Sequence, residues 1–225
     1  MNTTSLNTLY DANLGRLDAL LEDAAGEKAY IQPSRRQLGT VAIVLLREAI
    51  APTVFRNEEA SLTRIDVPGV SGERLRATPN KTKFVERGLG LQILRALSAG
   101  GRFAQNRTFI DSTPGASFDL NTVVFGDSAM QGARVLPAKA GVCYSDALSL
   151  QAAARSEVST MHIASNEEGS LFDPETQKNS VNLFDRHVVR PGTVFLQVLT
   201  LRGRTMTREA LDHLFLCLGL AGAYG

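Results

Sequence analysis

Two apolar runs flank a Pro191-Gly192 step: His187-Val-Val before it and Val194-Phe-Leu-Gln-Val-Leu-Thr-Leu201 after it. Branched and aromatic side chains suit strands, and Pro-Gly suits a turn. The segment reads as a strand pair, so antiparallel sheet has to be part of the fold. Helices come from other stretches. Residues 7–25 carry Leu14, Leu17, Leu20, Leu21 and Ala24 at helical spacing, with Asp18, Glu22 and Asp23 facing away. The acidity of that helix suits packing or subunit docking better than nucleic acid. Thr82 to Leu97 predicts a second helix, with Phe84, Val85, Leu89, Ile93, Leu94 and Leu97 as its stripe. Gly88 and Gly90 weaken it by about 1 kcal/mol each against alanine, which implies that something packs very close there. Gly100-Gly101 stops it. Thr207 is the expected N-cap of a last helix, whose stripe is Leu211, Leu214, Phe215 and Leu218.

The remaining segments are strands and loops. Residues 32–39 are a loop carrying Arg35 and Arg36, and Thr40 to Leu46 predicts a buried strand. Ala51-Pro52 breaks it, and Val54 to Arg56 resumes it. Leu62 to Val67 alternates as another strand, and the punctuated stretch Pro68 to Pro79 is a loop. Thr108 to Phe118 is a loop or hairpin tip. Val123 to Phe125 is an apolar run, followed by Gly126, a polar loop from Asp127 to Gly132, and Arg134 at the start of a strand that continues through Val142 and Tyr144 to Leu150. A glycine loop backed by an arginine is either a plain turn or a phosphate cradle. Met161 to Arg186 is polar and turn-rich, too long for a simple connection. The order α-β-β-α-β-β-β-α predicts an α+β fold, with helices on one face of an antiparallel sheet. A ferredoxin-like or RRM-like core fits, as one domain over residues 1–225 with long insertions.

Charge narrows the function. The net charge is only +1, but it is segregated. Residues 1–30 hold five acids and two bases, and residues 156–185 hold six acids and one base, Lys178. Between them, residues 74–107 hold eight bases and a single acid, Glu86. Arginine outnumbers lysine 19 to 5, which suits bidentate phosphate contacts and stacking on bases. Such a block can track a phosphate backbone. Two cysteines, Cys143 and Cys217, point to a reducing, cytoplasmic setting without a disulfide framework. No secretory leader or membrane-spanning run is evident.

Catalytic signals are scarce. The chain lacks a Walker A loop, a GxGxxG, a GxSxG elbow and metal-site spacings, so no cofactor and no structural metal are predicted. Asp66, Asp111, Asp119 and Asp127 can ligate Mg²⁺ in principle, but loop aspartates are usually caps and turns. His162 and His187 read as structural or surface residues. Phe84, Phe125 and Phe195 read as core and not as base-stacking platforms.

Several short motifs in a fixed order carry a resemblance. They are Gly90-Leu-Gln-Ile-Leu-Arg95 after a basic loop, Val124-Phe-Gly-Asp127, Arg134-Val-Leu136, Ser145-Asp-Ala-Leu148, His162 to Gly169, Val189-Arg-Pro-Gly-Thr-Val-Phe195 and the closing Leu218 to Gly225. Together they resemble the RAMP superfamily of CRISPR proteins over residues 35–225, and within it the backbone subunit of type I-D Cascade. The resemblance implies an RRM-like palm whose copies stack along a CRISPR guide RNA and present it to a target DNA strand. It also implies a thumb hairpin, here residues 161–186, and other Cascade subunits as partners. On this reading Arg56, Lys81, Lys83, Arg87, Arg95, Arg134, His162 and Lys178 contact the RNA, independently of its sequence. Six acids near a guide would repel phosphate, so they are expected to face a neighbouring subunit. The cysteine-rich zinc insertion common in relatives is missing, and the chain stops at Gly225, where more residues are expected. Type III relatives cut RNA with an aspartate after the first strand. Glu58, Glu59 and Asp66 are what this chain offers there, which leaves a metal-dependent ribonuclease as the alternative to a non-catalytic subunit.

Overall fold

The computed structural model describes residues 39–55, 62–100, 119–131, 134–138, 140–163, 172–173, 177–179, 183–203 and 206–224. The expected helix at 7–25, the loop at 108–118 and all of the loop at 32–39 except Gly39 lie outside them. The protein is a mixed α+β chain built on an antiparallel sheet. It divides into two compact units, one of residues 1–44, 79–145 and 198–224, the other of 45–78, 146–197 and 225.

The first unit is organised by three helices. α1 (Pro79–Ala96) starts three residues before its apolar periodicity. Proline at the first helical position brings a φ already set for the helix and lacks an N–H that would go unpaired there. α2 (Leu120–Phe125) replaces the expected run into a strand. Asp119 caps it by accepting from Thr122 N at 3.0 Å, and Gly126, at φ 73°, ends it. Burial decides the matter, because Asn121 through Phe125 are all buried and that environment overrides a β-branched pair. The polar stretch after Gly126 is a strand and not a loop: β4 (Asp127–Gln131) pairs with β5 (Arg134–Ala138). β6 (Val142–Tyr144) pairs with the second half of β12 (Val194–Arg202), with Leu199 opposite Tyr144. The last helix, numbered α4 in chain order, is Arg208–Leu220. Thr207 caps it as expected, accepting from Ala210 N at 3.1 Å. Its buried side holds Ala210, Leu211, His213, Leu214 and Cys217, whereas Phe215 is turned out.

The main sheet has the strand order β1-β12-β7-β3-β2, where β1 is Thr40–Glu48, β2 Arg64–Ile65, β3 Arg74–Ala77 and β7 Ala147–Ala152. β1 and β12 contribute residues to both units. Burial in β1 alternates, so it is not the fully buried strand expected; Val44 and Leu46 are exposed. The expected loop at 68–79 contains β3, which pairs with both β7 and β2. Arg-Leu-Arg-Ala is a four-residue alternation hidden among glycines and prolines. Leu75 and Ala77 are its buried half. They pack with Leu62, Ala147, Val189 and Phe195, and Phe55 meets Phe195 edge-on at 5.7 Å.

The Pro191-Gly192 turn is present, but the strands around it part company. β11 (Leu183–Val189) pairs over seven residues with β8 (Glu157–Ile163), while β12 joins the main sheet. The turn bonds elsewhere, since Gly192 N donates to Ala49 O at 2.7 Å. A four-residue helix, α3 (Ala153–Ser156), precedes β8, and β9 (Phe172–Asp173) pairs with β10 (Lys178–Asn179).

Candidate nucleic-acid interface

The face that α1 buries is Thr82, Glu86, Gly90 and Leu94, a strict four-residue repeat that is polar at two positions. It lies to one side of the apolar stripe the sequence suggests. Phe84 and Leu97, expected inside, are 63 % and 67 % exposed. Gly90 explains the shift: a Cβ there would overlap Asn121 Oδ1 and come within 2.9 Å of His213 Nε2 and 3.0 Å of Cys217 Sγ. Only glycine admits α2 and α4 so close. Glu86 is fully buried, and both its oxygens are taken. Tyr144 donates its hydroxyl to Oε2, and Tyr224 donates to Oε1 at 2.9 Å. A buried carboxylate needs such donors. Sequence reasoning missed Glu86, Tyr144 and Tyr224; the glycine in mid-helix was the only signal of this packing.

Beneath α1, Asn121, His213 and Cys217 come together. His213 Nε2 lies 3.2 Å from Asn121 Oδ1 and 3.7 Å from Cys217 Sγ, and Asn121 Nδ2 donates to Arg87 O at 3.3 Å. That amide bond turns Oδ1 toward the ring, so Nε2 is assigned the proton. Cysteine, histidine and asparagine are the composition of a thiol nucleophile. Burial rules that chemistry out. It pushes the Cys217 thiol up to about 12 and holds the His213 imidazole below its ordinary value, while Asp119 pulls the imidazole partly back. All three side chains are buried, so a substrate has no approach. The set is a packing network.

α1 also carries four bases outside that buried repeat. Lys83 and Arg87 stand one turn apart on one flank, and burial and the Arg87 charge together lower the Lys83 pKa. Arg95 is exposed about 12 Å further along and about 80° round, and Lys81 lies about 200° from Lys83. The four bases therefore form a broad arc and not one line. No acid occupies the first turn.

In the second unit an ion cluster ties the root of the β8–β11 hairpin. Arg64 donates to Glu157 Oε2 from Nη2 at 2.8 Å and from Nε at 3.1 Å, and His187 Nδ1 meets Glu157 Oε1 at 2.5 Å. Glu73 adds a longer contact to Arg64 at 3.5 Å. The hydrogen bond and the charge of Glu157 raise the Arg64 pKa. One of the six acids of residues 156–185 is thus used inside the fold.

The sequence matches the Csc2 CRISPR family over residues 30–225. The chain belongs to that family. None of the curated proteins matches it. Among solved structures it is similar to Csc2 from Thermofilum pendens, with a TM-score of 0.51 and 18 % identity over 92 % of this chain. The chain spans 64 % of the length of that protein. It is also similar to a chain of a type IV-B CRISPR complex, with a TM-score of 0.53 and 15 % identity over 80 % of each chain. At these identities the likeness is one of fold.

In this Csc2-family chain the predicted RNA contacts are scattered. Lys81, Lys83, Arg87 and Arg95 share α1. Arg134 opens β5, His162 lies in β8 opposite Phe184, and Lys178 opens β10; only their backbone is described. Arg56, Glu58 and Glu59 fall outside the described residues. Asp66 is exposed just after β2, and Asp119 is the cap of α2. Among the described residues no cluster of three metal-ligating side chains occurs, and no helix is long and apolar enough to cross a membrane.

Proposed function

We propose that this chain is a non-catalytic, guide-RNA-binding backbone subunit of a CRISPR Cascade complex, of type I-D. Its copies line up along a CRISPR RNA, beside other Cascade subunits, and present the guide to a target DNA strand. One observation carries the reading. Residues 74–107 hold eight bases and one acid, and that acid, Glu86, is fully buried and held by two tyrosines. Lys81, Lys83, Arg87 and Arg95 thus share α1 with no exposed acid on that helix, which suits phosphate-backbone binding.

Family membership supports the Cascade assignment. On this reading the antiparallel sheet with its helices serves as the RRM-like palm, and residues 161–186 serve as the thumb. Lys81, Lys83, Arg87 and Arg95 meet guide phosphates from α1, and Arg56, Arg134, His162 and Lys178 add contacts from the loops and hairpins. Base pairing then reads the target, and the protein needs no base-specific code.

RNA binding by the purified chain, followed at several salt concentrations and by native mass spectrometry, tests this. Several subunits should add stepwise to one RNA, with affinity falling steeply with salt. Arg87→Glu with Arg95→Glu should weaken binding and flatten the salt dependence by about two phosphate contacts. Unchanged binding by that double variant would refute the role of α1. Cleavage dependent on Mg²⁺ and lost in Asp66→Asn would make the chain a ribonuclease.

A further inference from the structure

We propose that Phe84 is a stacking platform for an unpaired base of single-stranded RNA, on the open face of α1. This deepens the RNA-binding reading and rests on it. Phe84 is 63 % exposed, although it sits in what reads as the apolar stripe of the helix. Lys81 precedes it by three residues and Arg87 follows it by three, so a cation flanks the ring about 60° round the helix on either side. Helical side chains lean toward the N-terminus, so the residue four positions on would cover this ring. That residue is Gly88, which has no side chain to cover it with. Arg95 continues the same column about three turns further along and is exposed. The only acid of α1, Glu86, points about 160° away and is buried.

An occupant that is anionic on both sides of a flat, apolar centre fits this arrangement. A nucleotide of a single strand meets that description, with phosphates toward Lys81 and Arg87 and a base on the ring. A duplex does not, because its base faces are already stacked. Stacking of this kind ignores base identity, since every base has a π-face. It suits a protein that holds guides of any sequence.

The chain contains no tryptophan, so Phe84→Trp introduces a sole indole reporter at an exposed position. Full-length Phe84→Trp is titrated with a uridine-rich oligoribonucleotide and, separately, with polyglutamate. The proposal expects indole quenching by RNA and none by polyglutamate. Phe84→Ala should bind RNA about tenfold or more weakly with an unchanged salt slope, while Phe84→Trp retains affinity. Wild-type affinity in Phe84→Ala with no quenching in Phe84→Trp overturns the stacking role. If binding still depends on Arg87 and Arg95 in that case, the RNA-binding reading survives it. Quenching by polyglutamate as strong as by RNA makes the occupant an acidic protein surface and also overturns the proposal. A wild-type chain that binds no RNA at all overturns both readings together.

Discussion

Replacing Gly90 by alanine tests the packing beneath the basic helix. The new methyl would overlap Asn121 Oδ1 and press on His213 Nε2 at 2.9 Å and Cys217 Sγ at 3.0 Å. None of these can swing away, because the three side chains are buried and joined to one another. Overpacking of this kind costs about 1–3 kcal/mol. Prising His213 from Asn121 leaves buried polar atoms unpaired, at about another 1–3 kcal/mol. Alanine returns about 1 kcal/mol through its better helix propensity. The net expectation is a loss of about 3 kcal/mol, or a fall of about 1–3 M in the urea midpoint. Gly219→Ala is the matched control. It sits in α4 with nothing within 4 Å of an added Cβ, so it should raise stability by about 0.5–1 kcal/mol. Urea unfolding followed by far-UV circular dichroism reads both variants. A Gly90→Ala midpoint at or above wild type, beside a Gly219→Ala midpoint that rises, would refute the close-packing argument.

Two further outcomes follow from the same network. Burial holds the His213 pKa below its ordinary 6.5, so as pH falls the unfolded chain takes up this proton first. The stability contributed by neutral His213 is complete above that value and is lost as pH falls from it toward the folded value. The gap in urea midpoint between wild type and His213→Gln should therefore shrink from about pH 7.5 to about pH 5.5, and a gap that widens contradicts the assignment. Cys217, fully buried with its thiol pushed up to about 12, should resist alkylation in the folded chain at about pH 8, leaving half-buried Cys143 as the thiol that reacts. Mass spectrometry that finds Cys217 modified before unfolding would count against this burial.

What the sequence revealed depended on how local the signal was. β12 and the Thr207 cap were legible because eight consecutive residues carry the first and one hydroxyl carries the second. α1 was legible as a helix, but its rotation was not. Apolar periodicity points to Phe84 and Leu97, whereas the buried side is set by Gly90 and by tyrosines 58 and 138 residues distant from Glu86. β3 was lost because four residues between glycine and proline give too short an alternation. α2 was lost because Val123, Val124 and Phe125 favour strand locally, and only Asp119 argued otherwise. The pairing of Arg64 with Glu157 spans 93 positions, and no local pattern announces it. The basic block was visible from charge alone.

The polar contacts on the inner side of α1 have a geometric consequence. A helix seated on a purely apolar face can roll by tens of degrees and find other ways to interdigitate. Glu86 gripped by two phenols, and Asn121 reaching the Arg87 carbonyl, act like a key in a slot and forbid that roll. Because Phe84, Arg87 and Arg95 are rigidly phased to Glu86 by the helix itself, fixing one angle fixes the aim of all three. Each copy of the chain then turns the same bearing outward, and a row of copies would repeat that bearing at every step.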